Sequence, residues 1–206
     1  MEWEKKLELL KYISSDLQII HENDIIHCDL HSGNIFQNDL HNAYIGDLGI
    51  AKSINKTLDK EVRGIYGSLP YVAPEVLRGN PFTNASDIYS FGMLMWEISS
   101  GSLVFSDYKD DGSNLIVEIC FNELRPNILK GTATCYANLL KKCWDKDPNK
   151  RPSAIEIHET ILSWKNNPEI LLEFLKSDKE MVIENNGFID TVDNTIYTSQ
   201  LLSYIN

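Results

Sequence analysis

The stretch SDIYSFGMLMWEISS, Ser86 to Ser100, is apolar at nearly every position apart from its ends. A helix apolar around its whole circumference is stable only when other elements surround it, so this stretch predicts the central pillar of a helical domain. The rest of the chain supplies the wrapping. Trp3, Leu7, Leu10, Leu17 and Ile20 recur at helical spacing, while Lys5, Lys6, Glu8 and Lys11 fill much of the other face. That pattern predicts an opening amphipathic helix of roughly 18–20 residues. Further helical stretches fall at about 114–122, 134–144 and 153–165, separated by NELRPN and DKDPNKRP. IFQ and AYIG flank the polar NDLHN and predict one small β-hairpin. The expected fold class is mainly α. From Asp47 to about Pro74 the chain shows no period and carries Gly49, Gly64, Gly67 and Pro70. A loop that long inside a domain is usually functional.

The 206 residues suffice for one well-packed domain or two small ones. A net charge of -11 argues against nucleic acid or an anionic membrane surface as the main partner. It leaves room for a nucleotide, because one local cation can hold a phosphate inside an acidic protein. Cys28, Cys120, Cys135 and Cys143 are scattered, with no C-x-x-C pair. They read as reduced, unreactive thiols of an intracellular protein. The charged opening MEWEKKLELL is not a signal peptide, and no apolar run approaches the ~18 residues of a membrane span. The expected location is cytoplasmic or nuclear. Composition shifts at Asn166, where seven acidic residues face Lys176 and Lys179 alone. The expected division is therefore a domain over 1–165 and an acidic tail over 166–206. Within the tail, PEILLEFLKS predicts one docked helix and NNGFIDTVDNTIYTSQ a flexible end.

HCDLHSGN, His27 to Asn34, then places an acid (Asp29), an imidazole (His31) and a carboxamide (Asn34) just before the hairpin. Asp47 follows the hairpin, so three oxygen-bearing side chains, Asp29, Asn34 and Asp47, gather around one cleft. Magnesium takes hard oxygen ligands, usually one or two side chains plus waters and substrate phosphates. A carboxylate that stays off the metal can take a proton from an attacking hydroxyl. Asn34 and Asp47 suit the metal, and Asp29 suits the base.

HCDLHSGN, DLG (Asp47 to Gly49), GSLPYVAPE (Gly67 to Glu75), SDIYSFG (Ser86 to Gly92) and CWDKDPNKRP (Cys143 to Pro152) stand in one order. In that order and approximate spacing the chain resembles a eukaryotic-type protein kinase, whose pattern is H-R-D-L-x-x-x-N, D-F-G and A-P-E. The closing piece and WEI are similar to the tyrosine-kinase-like group. The resemblance covers about residues 1–165 and implies ATP and Mg2+ as cofactors and a protein as substrate. It implies Asp29 as catalytic base, Asn34 as a magnesium ligand and Asp47 as the main one. Phe36 falls where an apolar floor lies under the adenine. Glu75 and Arg151 match a partly buried ion pair that clamps the loop to the helical base. Asp87 matches a residue that accepts backbone N–H bonds from the catalytic loop near His27. Ser68 stands where serine/threonine kinases carry threonine, so serine or threonine is the expected target.

The chain departs from the pattern in four places. Only 26 residues precede His27, and neither G-x-G-x-x-G nor V-A-I-K appears. The chain therefore reads as a C-terminal (large) lobe without an N-lobe, to be completed by a separate or upstream one. Alone it is expected to turn over little. The alternative is a non-catalytic scaffold or decoy. Cys28 replaces the arginine that pairs with a loop phosphate, so activation by phosphate on Ser53, Thr57, Tyr66 or Ser68 is not expected. His31 replaces a lysine that neutralises the transferred phosphate, and an imidazole is the weaker cation at pH 7. Leu48 replaces the phenylalanine of D-F-G and is expected to stack in its place.

Overall fold

Helices dominate the computed structural model, which describes residues 1–38, 42–54, 65–106, 108, 112–184 and 197–202. In chain order they are α1 (Trp3–Glu22), α2 (Pro74–Leu77), α3 (Asn84–Ser100), α4 (Ser113–Phe121), α5 (Thr134–Cys143), α6 (Ala154–Lys165) and α7 (Pro168–Glu184). Six short strands accompany them: β1 (Ile25–Ile26), β2 (Ile35–Gln37), β3 (Ala43–Ile45), β4 (Lys52–Ser53), β5 (Ile65–Gly67) and β6 (Gln200–Leu202). Among the described residues, no helix is long and apolar enough to cross a membrane.

The apolar stretch is α3, and its central residues Ile88, Tyr89, Phe91, Met93, Leu94 and Met95 are all buried. Its ends follow from local chemistry. Thr83 and Ser86 exchange side-chain and backbone hydrogen bonds in a capping box, which satisfies donors the first turn leaves open. Gly101 ends the helix at φ 76°, a left-handed value that favours glycine. In mid-helix, Gly92 lets α5 approach, because a Cβ there would meet Cys143 Cβ at 3.0 Å.

One aromatic cluster joins four helices around this pillar. Trp3 of α1 packs edge-on to Tyr136 of α5 at 4.7 Å and lies 5.1 Å from Phe174 of α7. Trp164 of α6 closes the ring, 5.7 Å from Phe174. Trp3 also donates its indole N–H to Ser177 Oγ at 2.7 Å and its backbone N–H to Asp178 Oδ1 at 2.9 Å. Lys6, expected on the polar face of α1, is buried instead. Its ammonium donates to the Ser99 carbonyl at 2.8 Å and lies over the Trp3 ring. Burial lowers its pKa, and Asp178 partly offsets that.

The expected hairpin is β2 against β3, with Phe36 opposite Tyr44. The region after Asp47, aperiodic in sequence, holds two strands that short length concealed. β4 pairs antiparallel with β1, and β5 pairs antiparallel with β6. The second pairing corrects the expectation of a flexible end at YTSQ. Gln200 opposes Gly67 and Leu202 opposes Ile65, so the end of the chain has a backbone partner that composition does not reveal. The rest of that expected flexible end, residues 185–196, lies outside the described residues, as do 39–41 of the hairpin turn and Thr57 and Gly64 of the loop.

Glu75, in α2, and Arg151, before α6, meet in a bidentate pair. Arg151 Nη1 and Nη2 donate to the two Glu75 oxygens at 2.6 and 2.8 Å. The same guanidinium reaches the Asp145 and Ala85 carbonyls at 2.8 and 2.9 Å, so the buried cation makes four hydrogen bonds among the described residues. Arg151→Ala leaves the Glu75 carboxylate buried and alone. The expected loss is ~3–5 kcal/mol of unfolding free energy, read from the urea midpoint at unchanged slope.

Candidate active site

Asp87 enters from the first turn of α3 and is almost wholly buried. Its Oδ2 accepts the His27 backbone N–H at 2.7 Å and its Oδ1 accepts the Cys28 N–H at 3.0 Å. His21 of α1 brings Nε2 to within 2.9 Å of Oδ2. Two consecutive peptide N–H groups reach one carboxylate because the chain turns sharply there, with Cys28 at φ 69°. A non-glycine residue in that region stores about 1–3 kcal/mol of strain, which the surrounding bonds must outweigh. Burial, with the Asp87 charge next, pushes the Cys28 thiol up to about 12, so it stays protonated.

His27 carries the connection across to the far side of the hairpin. Its Nε2 donates to the Gly46 carbonyl at 3.0 Å, which leaves Nδ1 to accept the Asp29 N–H at 3.3 Å. Gly46 in turn donates its N–H to the Asn34 carbonyl at 2.9 Å. Asp47 follows Gly46 in a left-handed conformation, φ 57°. The loop bearing Asp29 and Asn34 is thus tied directly to the segment bearing Asp47.

Asp29 itself is buried. Its Oδ1 accepts the Ser68 backbone N–H at 3.2 Å, and its Oδ2 accepts the Ser199 hydroxyl at 2.5 Å. His31 Nδ1 is occupied by the Gly33 N–H at 3.1 Å, so Nε2 faces inward, 3.3 Å from Ser199 Oγ and 3.7 Å from Asp29 Oδ2. Burial alone would push the Asp29 carboxyl up. The bonds from His31 and Ser199 outweigh it, and the carboxyl stays below its usual range. Gly67, the last residue of β5, passes close by, where a Cβ would meet Val72 Cγ2 at 3.1 Å.

Asn34 donates its side-chain amide to the Asp29 carbonyl at 2.8 Å, which settles the amide orientation and leaves Oδ1 as its free oxygen. Among the described residues no hydrogen bond takes that Oδ1. Asp47 is exposed and uses one oxygen for the Gly49 N–H at 3.2 Å. Two hard oxygen ligands on linked segments fit Mg2+, which asks for one or two side chains plus phosphates and waters. No group of three or more metal-ligating side chains occurs among the described residues. Phe36, expected as an apolar floor, is 56% exposed, and Leu48, expected to stack in place of phenylalanine, is 49% exposed. Strand alternation explains Phe36. It shares the outer face of the hairpin with Tyr44, while Ala43 turns inward. The ring lies against Gly46, whose Cβ would come within 2.6 Å of it. A cleft of about 1290 Å³ between α1, the end of α3 and α7 includes none of these residues.

Three contributors escaped the sequence reading. His21 is the penultimate residue of an ordinary amphipathic helix. Tyr71 donates its hydroxyl to the buried Glu97 at 2.6 Å and meets Ser32 Oγ at 3.0 Å, bracing the loop from below. Ser199 lies 170 positions from Asp29, and its only local signal is the β-prone setting TIYTSQLL. Because the Asp29 carboxyl lies below ~3.9 in the folded chain, the stability it contributes is present above that value. That stability disappears as pH falls through the lower folded value. In a carbon-13 carboxyl titration, Asp29 is expected to titrate below ~3.9. Ser199→Ala is expected to move the midpoint upward, since a donor is lost while burial remains.

The Protein kinase domain family matches residues 2–162. The chain is 30% identical over 176 residues to the probable serine/threonine-protein kinase roco8 of Dictyostelium discoideum, a match covering 81% of this chain and 9% of the relative. It is 32% identical over 149 residues to the serine/threonine/tyrosine-protein kinase HT1 of Arabidopsis thaliana, covering 72% of this chain and 37% of the relative. It is 35% identical over 139 residues to the dual specificity protein kinase shkE of Dictyostelium discoideum, covering 67% and 19%. The chain therefore spans well under half the length of these curated relatives. The match runs through Asp29, Asn34, Asp47, Glu75, Asp87 and Arg151, whose mutual placement organises a mainly helical fold like a kinase C-lobe, and the chain belongs to the protein kinase family.

Proposed function

We propose that the chain is the large-lobe part of a protein serine/threonine kinase of the tyrosine-kinase-like group, transferring the γ-phosphate of Mg·ATP to a protein hydroxyl. The observation that carries this is the ionised, buried Asp29 accepting a serine hydroxyl at 2.5 Å. A general base must first be within reach of the proton it takes, and Asp29 is. Phosphoryl transfer asks for little covalent chemistry from a protein, so positioning and electrostatics carry the rate. Asp29 orients the hydroxyl and takes its proton. Asn34 and Asp47 hold the magnesium, which when bound neutralises charge on the phosphates. His31 lies beside the hydroxyl, with Nε2 3.3 Å from it, and its assigned role is the contact to the transferred phosphate. Phe36 offers its open face to the adenine.

Phe36, Tyr44 and Leu48 are apolar and about half exposed near the nucleotide side. An N-lobe, upstream in the same polypeptide or separate, is the cover we propose for them. The substrate is a protein, and the cytoplasm is the proposed location. The relatives' names include serine/threonine, serine/threonine/tyrosine and dual-specificity kinases, and Ser68 and the bound Ser199 favour serine or threonine here. A non-catalytic scaffold or decoy is the alternative, favoured by the same open face. A lobe left uncovered at Phe36 and Leu48 would lack half of the nucleotide clamp.

Calorimetric titration with Mg·ATP separates the two. A kinase lobe is expected to bind weakly and to lose at least ~10-fold in affinity, about 1.4 kcal/mol, on Asp47→Ala. No binding to either protein establishes the scaffold. In a two-lobed kinase carrying this segment, His31→Lys is expected to raise turnover at pH 7.5. Unchanged turnover removes His31 from the phosphate contact.

A further inference from the structure

Residues 197–202 lie across the proposed active site. β6 adds to the edge of β5, and β5 runs directly into Ser68, whose N–H holds Asp29 Oδ1. Ser199, the residue before β6, takes the other oxygen, Oδ2, and contacts His31 Nε2. The two segments therefore grip one carboxylate from opposite sides. The flanking residues are seated as well. Tyr197 packs against the core and donates its hydroxyl to the Val104 carbonyl at 2.8 Å. Beyond the serine the side chains divide sharply, with Leu201 65% exposed and Leu202 7%.

This is how an extended peptide binds by strand addition: backbone pairing supplies affinity, and pockets for selected side chains supply selectivity. We propose that the strip between β5 and the Asp29–His31 pair is the acceptor-peptide site, and that residues 197–202 occupy it in cis with Ser199 as the acceptor hydroxyl. The inference rests on the kinase reading above and names the substrate class of that site. The class is an extended segment with serine or threonine at the acceptor position, an aromatic hydroxyl two residues before it and a leucine-like side chain three residues after. Because residues 197–202 belong to the same chain as the site, their binding is intramolecular, and the tail excludes weaker peptides.

Transfer onto Ser199 forms a bond between Oγ and the γ-phosphorus of Mg·ATP. It breaks the bond from that phosphorus to the β–γ bridging oxygen. ADP leaves with that oxygen, and the hydroxyl proton passes to Asp29 and then to solvent. The product carries roughly -1.5 to -2 of charge against the Asp29 carboxylate, which expels it. Phosphorylation in cis thus clears the site for a substrate in trans.

The test uses the full chain and a fluorescent synthetic peptide of the sequence YTSQLL, read by anisotropy without nucleotide. Leu202→Asp unseats β6 through its buried side chain, and Ser199→Glu does so by charge while leaving Leu202 intact. Circular dichroism checks that both keep the helical fold. Both variants are expected to bind the peptide at least ~10-fold more tightly than the wild-type chain, whose own tail competes. Equal binding by all three chains, or binding by none, overturns the proposal. Incubation of a two-lobed kinase carrying this whole chain with Mg·ATP supplies the second arm, read by peptide mass. Phosphate on Ser199, formed at a rate independent of chain concentration, supports the acceptor role. Phosphate on other proteins but never on Ser199 overturns that role. Peptide competition without phosphate on any protein retains the peptide site and defeats the kinase reading instead.

Discussion

Asp87 sits in the first turn of α3 with its carboxylate out of water, and its oxygens accept two consecutive peptide N–H groups and face an imidazole. A buried carboxylate without such partners would cost several kcal/mol, so the ligating loop and the helix are held together by mutual need. α3 is the element least able to move, because it is packed on all sides. Attaching the His27–Cys28 backbone to it transfers that rigidity to Asp29, the next residue. The strain at Cys28 is tolerable for the same reason, since relaxing it would break both bonds to Asp87. A catalytic group needs this kind of support, because positions wrong by an ångström are costly.

From Asp87 the connections spread outward in order. His27 reaches Gly46, Gly46 reaches Asn34, and Asn34 reaches back to the Asp29 carbonyl. The loop closes on itself, and Asp47 is carried on its rim. Below, Tyr71 links Ser32 to Glu97, whose Oε1 also takes the Val104 N–H. Burial raises the Glu97 carboxyl despite those bonds. Val104 also accepts the Tyr197 hydroxyl through its carbonyl, so the end of the chain and the floor of the loop share one residue. Farther out, the Glu75–Arg151 pair anchors the segment after β5 to the base of the helical bundle. Each buried charge in this set has its opposite or a set of dipoles beside it, which is the condition for leaving water at all.

Local chemistry made much of this legible. The all-apolar run of α3, the spacing of Trp3, Leu7, Leu10 and Leu17 in α1, and the Thr83 and Gly101 ends are properties of neighbours in sequence, and a 3.6-residue period reports them. The hairpin was legible for the same reason. β1, β4, β5 and β6 were not, because two or three residues cannot display a period of two. Lys6 was misplaced because its helix position says nothing of the Ser99 carbonyl waiting across the gap. Leu48 was misplaced, and Phe36 stands open, because an apolar side chain is buried only if something covers it.

The helical frame and the order of Asp29, Asn34, Asp47, Glu75, Asp87 and Arg151 along it can be read from neighbouring residues alone. These rest on composition, periodicity and motif spacing, all of which are local. What faces each of those groups is set by the folding of distant segments together. That Asp87 holds the turn at Cys28, that His27 bridges to Gly46, and that Ser199 closes over Asp29 all depend on segments 19 to 170 positions apart. Such contacts are selected by the free energy of satisfying buried polar groups in the folded chain. That energy exists only once packing has excluded water, and no pattern of neighbouring residues encodes it.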